Sequence, residues 1–105
     1  MADINQIIQT IAKATDYQKN KRILREKIQT DLHFTYNGGL FKSSPELIVF
    51  AGTMNENELY LEDTYQNPIH IADPLEFSKL AKEHYHQVMN RWHQQHEELK
   101  KIRKI

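Results

Sequence analysis

Apolar residues recur at Ile4, Ile7, Ile8 and Ile11, the spacing of one face of an amphipathic helix. Asp3 stands before that face as an N-cap, with Gln6 three residues on in the capping-box position. No Gly or Pro interrupts the chain before Gly38. The apolar signal thins between Thr15 and Arg22 and returns at Ile23, Leu24 and Ile28, so the pattern predicts a helix over about 3–29.

The period then changes. His33-Phe34-Thr35-Tyr36 and Leu40-Phe41-Lys42 flank Asn37-Gly38-Gly39, whose Asn and Gly can take the positive φ of a tight hairpin turn. Ser43-Ser44-Pro45-Glu46 supplies a cap, a first-turn proline and an acid at the positive end of a helix dipole. A short helix over 45–51, stopped by Gly52, is expected there, although Ile48-Val49-Phe50 also suits a buried strand. Glu58-Leu59-Tyr60-Leu61-Glu62 alternates as a strand does. Tyr65-Gln66-Asn67-Pro68 reads as a turn and Ile69-His70-Ile71 as the return strand. This second hairpin is expected to extend the sheet begun by the first. Asp73-Pro74-Leu75-Glu76 opens a second long helix, which runs to about 103 without Gly or Pro.

Inside that helix Tyr85, Val88, Trp92, Gln95, Leu99 and Ile102 alternate steps of three and four, a heptad seam broken only by Gln95. Phe77, Leu80 and Ala81 carry the apolar face toward its start. A helix of about 30 residues is about 45 Å long, more than so short a chain is expected to cover. Part of the seam should therefore meet the first helix or another chain. Tyr85, Val88, Trp92, Leu99 and Ile102 are the expected partner-binding residues. The fold class is α+β: two long amphipathic helices flanking a small antiparallel β-hairpin region with a short middle helix, in one domain spanning 1–105.

Composition agrees with wet-faced helices: 39% of the 105 residues are hydrophobic and 27% charged, while ten aromatic residues argue against disorder. Fourteen basic residues balance fourteen acidic ones. Whole-chain charge thus gives no pull toward nucleic acid or membrane, and neutrality favours self-association. The absence of cysteine excludes disulfides, a thiol nucleophile and the usual structural zinc sites. The start lacks a signal-peptide pattern, and no apolar run nears the roughly 18 residues of a membrane span. A soluble, cytoplasmic protein is expected.

Candidate chemistry is sparse. His93 and His96 share a helix face and could hold a divalent metal with Glu97, but their spacing is not that of a zinc protease, and a solvated His/Gln face is the plainer account. Lys19, Lys21, Arg22, Arg25 and Lys27 form a basic cluster able to neutralise phosphates. Lys100, Lys101, Arg103 and Lys104 form a second, expected at the opposite end if the helices are antiparallel. Glu56, Glu58, Glu62, Asp63, Asp73 and Glu76 fall on strands and caps and read as a solvated sheet edge. Phe34, Tyr36 and Phe41 could stack on bases but suit cross-strand packing better. Ser43, Ser44 and Ser78 lack a nucleophile-elbow context, and Asn37-Gly38-Gly39 is too short for a phosphate loop. A non-enzymatic protein without a cofactor is expected.

Three stretches carry a resemblance: Thr35-Tyr36-Asn37-Gly38-Gly39-Leu40-Phe41, Pro45-Glu46-Leu47, and the closing segment from Asn90-Arg91-Trp92 through Lys100-Lys101. Together they resemble short, uncharacterised proteins of large contractile-tailed bacteriophages, particularly those infecting marine cyanobacteria. The resemblance transfers no catalytic residue. It implies a small virion or prohead-assembly component, or a small regulator acting on host machinery, located in the host cytoplasm or the virion.

Overall fold

The computed structural model describes residues 4–54 and 57–103, the last two by backbone alone. Among these, the order is α1 (Ile4–Asp31), β1 (His33–Tyr36), β2 (Gly39–Lys42), α2 (Pro45–Thr53), β3 (Leu59–Glu62), β4 (Pro68–Ile71) and α3 (Pro74–Arg103). The α+β class, with long terminal helices and a short middle one, is as the sequence predicts. The Asp3 cap and Glu56 lie outside the described residues.

Local chemistry accounts for most boundaries. Asp73 caps α3, its Oδ1 accepting from Glu76 N–H at 3.2 Å, with Pro74 in the first turn. Ser44 caps α2 from an extended backbone, its Oγ accepting from Leu47 N–H at 3.2 Å. Ser43 is used differently: fully buried, it donates from Oγ to the Ala81 carbonyl and fastens the end of β2 to α3. Gly52 does not stop α2, which runs one residue further. A Cβ on Gly52 would sit 3.0 Å from Ser78 Oγ, and that hydroxyl donates to the Ile48 carbonyl at 2.8 Å. The glycine thus serves the close approach of α2 to α3.

The two hairpins are separate two-stranded sheets, β1–β2 and β3–β4, and not one extended sheet. The outward backbone groups of Leu40 on β2 explain this. Leu40 N–H donates to Asp63 Oδ2 at 3.1 Å, and its carbonyl accepts from Thr64 N–H at 2.7 Å. The turn of the second hairpin therefore occupies the edge that another strand would need. Asn37 and Gly38, with φ of 46° and 81°, form the first turn as their residue types predict.

Asp63 is a structural keystone and no part of a solvated edge. It is 6% exposed, and its Oδ1 also accepts from Tyr65 N–H at 3.0 Å and Asn67 N–H at 2.9 Å. The Asn67 amide first, then those of Leu40 and Tyr65, hold its carboxyl below the usual carboxylate range against the opposing effect of burial. A lowered folded pKa gives stability that is present above the unfolded pKa and lost as pH falls through the folded one. Asp63→Asn should therefore melt lower than the parent at neutral pH, and the gap should narrow below about pH 4. Melting curves at stepped pH measure this directly.

Two apolar clusters share α3. One gathers Phe41, Ala51, Leu59, Ile71 and Phe77, where the hairpins and α2 pack on the first turns of α3. The other gathers Leu24, Ile28 and Leu32 around the fully buried Val88, with Tyr85, Met89 and Leu99 at its margin. His84 Nε2 donates to the Asp31 carbonyl at 2.7 Å, tying the end of α1 to α3 between the clusters. Gln95 interrupts the seam, and its Oε1 is buried with no hydrogen-bond partner among the described residues. Gln95→Leu should remove that orphaned acceptor and raise stability by about 1 kcal/mol, readable from urea titration.

Candidate functional site

α1 and α3 run antiparallel. Asp31 meets His84, and Asn20, Ile23 and Leu24 line one pocket with Gln95, Glu98 and Leu99. α3 is described to Arg103, and Tyr17 is the first buried residue of α1, so the described part of α3 leaves the opening turns of α1 uncovered. The helices, at 28 and 30 residues, are about 42 and 45 Å long. The molecule is 69 Å long and 22 by 17 Å across, as this stagger requires.

Every residue from Ile4 to Asp16 is exposed. Ile4, Ile7, Ile8 and Ile11 are 71%, 48%, 58% and 60% exposed. These four belong to a different helix face from the residues that bury α1. At 100° per residue the isoleucines centre roughly 130° around the helix from Tyr17, Leu24 and Ile28. They form an apolar strip on a bare arm, flanked by the uncharged Asn5, Thr10, Ala12 and Ala14. The sequence marks this strip as a helical face. That it is not the core face could also have been read there, from its phase against Leu24 and Ile28.

The predicted seam residues divide. Val88 is buried against α1, and Tyr85 and Leu99 are half-buried at the margin of the same cluster. Trp92 is 37% exposed and forms a wall of a groove of about 270 Å³. Ile28, Leu32, Tyr85 and Met89 also line this groove, and Arg25 and Lys42 bring positive charge to it. The side chain of Ile102 lies outside the described residues.

Lys19, Lys21, Arg22, Arg25 and Lys27 are all exposed on the middle of α1. Of the second basic cluster, Lys100 and Lys101 are exposed near the end of α3, and the side chains of Arg103 and Lys104 lie outside the described residues. Gln95, Glu98 and Leu99 line one pocket with Asn20, Ile23, Leu24 and Lys27, so the last turns of α3 lie beside the first cluster. The patch is diluted by acids: Lys100 Nζ donates to Glu97 Oε1 at 3.2 Å. That bond, followed by the attraction of the Lys100 charge, holds the Glu97 carboxyl below its ordinary range. Glu97 is therefore engaged by lysine beside His93 and His96, and the His96 ring lies 5.8 Å from the Trp92 ring. Among the described residues no three His, Asp or Glu side chains converge as a metal site, and no helix is long and apolar enough to cross a membrane. Phe34, Tyr36 and Phe41 are committed to packing, each with its ring within 6 Å of Phe77.

Compared with protein-family models, curated proteins and solved structures, the chain matches none.

Proposed function

We propose that this is a non-enzymatic interaction protein that works through its long helices, with the projecting arm of α1 as the docking face for a partner helix. The supporting observation is the strip Ile4, Ile7, Ile8 and Ile11, exposed on a helix that has left its own core. Arms of this length are marginal as isolated helices in water, and β-branched isoleucine is a modest helix former. Packing of the apolar face on another helix supplies the missing stabilisation. In the phage setting that the sequence resemblance implies, such a part would serve particle assembly.

The reading is tested with a photoreactive residue in place of Ile8 in the full chain, illuminated as pure protein and in extract of cells that make it. Cross-linking to a polypeptide, lost when Ile4 and Ile11 are changed to Asn, supports it. Cross-links only to lipid or nucleic acid, or none at all, overturn it.

A second reading, a small nucleic-acid or transcription-machinery regulator, draws on the exposed cluster Lys19, Lys21, Arg22, Arg25 and Lys27. It requires affinity that falls steeply with salt, by about 0.9 in log K per log salt for each phosphate neutralised on duplex DNA.

A further inference from the structure

We propose that the groove walled by Trp92 binds a small aromatic carboxylate, its ring held by Trp92 and Tyr85 and its anionic end by Arg25 and Lys42. The inference is independent of the interaction reading above, which uses the start of α1 and none of these residues.

Enclosure sets the size of the ligand. Three parts of the chain meet at the groove: α1, α3 and the link from β2 to α2. Its volume of about 270 Å³ is near the lower bound of roughly 300 Å³ for small-molecule pockets. That space suits a body of one or two rings and is too small for a partner helix.

The walls select an aromatic body. Ile28 and Leu32 are buried and give the groove an apolar floor. Trp92 and Tyr85 present ring surfaces, which gain from offset or edge-on contact with another ring. Met89 adds a thioether, a favourable neighbour for a ring edge.

Charge selects an anion. Arg25 and Lys42 are the charged residues of the lining, both exposed, and no acid stands among them. Among the described residues the side-chain ion pairs join His70 to Glu58 and Lys100 to Glu97, so neither groove cation is already matched. The serine hydroxyls of the lining are engaged elsewhere: Ser43 donates to the Ala81 carbonyl, and Ser44 accepts from Leu47 N–H. The two cations are therefore the strongest polar anchors. A guanidinium fork matches a carboxylate with two parallel hydrogen bonds, and an ammonium adds a point charge. A neutral ring would leave the cations unused, and a bare inorganic anion would leave the apolar walls in water.

Trp92 is the only tryptophan of the chain, so its indole N–H gives a single magnetic-resonance signal at the wall of the groove. Naphthoate is titrated into the nitrogen-labelled full chain, beside the uncharged naphthamide and inorganic phosphate. The expected result is a saturable shift of that signal with naphthoate, several-fold weaker binding of naphthamide, and no shift with phosphate. Arg25→Gln and Lys42→Gln, both at exposed positions, should melt with the parent and each weaken naphthoate by about tenfold, the loss of one charged hydrogen bond. Lys21→Gln, an exposed cation of α1 outside the groove, should bind as the parent does. An unmoved indole signal with naphthoate overturns the site. Equal binding of naphthoate and naphthamide overturns the selection of an anion, and a shift with phosphate alone overturns the selection of a ring. A loss in Lys21→Gln equal to that in Arg25→Gln would show diffuse attraction to the basic cluster and overturn the groove as its place.

Discussion

Phe77→Ala should destabilise the protein by about 3–5 kcal/mol, the range for emptying a buried aromatic site. Phe77 has no exposed surface. Its ring lies 5.7 Å from Phe34, 5.0 Å from Tyr36 and 5.1 Å from Phe41, the last two edge-on. It is thus the point on α3 where the first hairpin docks, and it belongs to the same cluster as Ala51 of α2 and Ile71 of the second hairpin. Three segments with little else in common converge on one side chain. The cavity cannot close easily, because each neighbour is held by its own hairpin or cap. A domain of this kind has about 5–15 kcal/mol in all, so the variant should lie near the folding threshold. Urea titration should show a large fall in midpoint, together with loss of the near-ultraviolet signal of the tyrosine beside it. Tyr60→Ala, at a side chain 68% exposed, should shift the midpoint little. Equal effects at the two sites would remove Phe77 from its central place.

The elements legible in the sequence were those fixed by neighbours in the chain. Asp73-Pro74 and Ser44-Pro45 begin helices, and Asn37-Gly38 turns a hairpin, because caps and positive φ depend on a few adjacent residues. What stayed illegible depends on distant partners. Gly52 has the residue type of a helix stop, yet it lies in α2 because Ser78, 26 positions later, packs against it. Asp63 has the look of surface charge until Leu40 N–H is found at its carboxylate. The single-sheet expectation failed for the same reason, since alternation identifies strands but not which edge a turn will cover. The candidate site lies between these cases. Its isoleucines are plain in the sequence, and their phase against Leu24 and Ile28 separates the two faces. Their exposure depends on how α1 is set against α3, which periodicity alone does not give.

The second large effect is expected at Val88→Asp, which should cost about 4 kcal/mol or more. Val88 is fully buried between α1 and α3, among Leu24, Ile28 and Leu32. None of these can accept or donate a hydrogen bond from its side chain, so a carboxylate there is unpaired. The charge would be relieved by taking up a proton, which raises the folded pKa of the new group above its unfolded value. The sign is opposite to that of Asp63. The penalty is smallest below the unfolded pKa of about 3.9 and grows as pH rises toward the folded pKa. Val88→Asn, neutral at every pH, should show no such trend. The position also separates the two clusters. Phe77 and Val88 belong to separate apolar clusters, so α1 should come away from α3 before the aromatic cluster melts. Hydrogen exchange should then show early loss of protection at Leu24 and Ile28, with Phe77 protected longer. Simultaneous loss at both would mean that the helix pair and the hairpin layer fold as one cooperative unit.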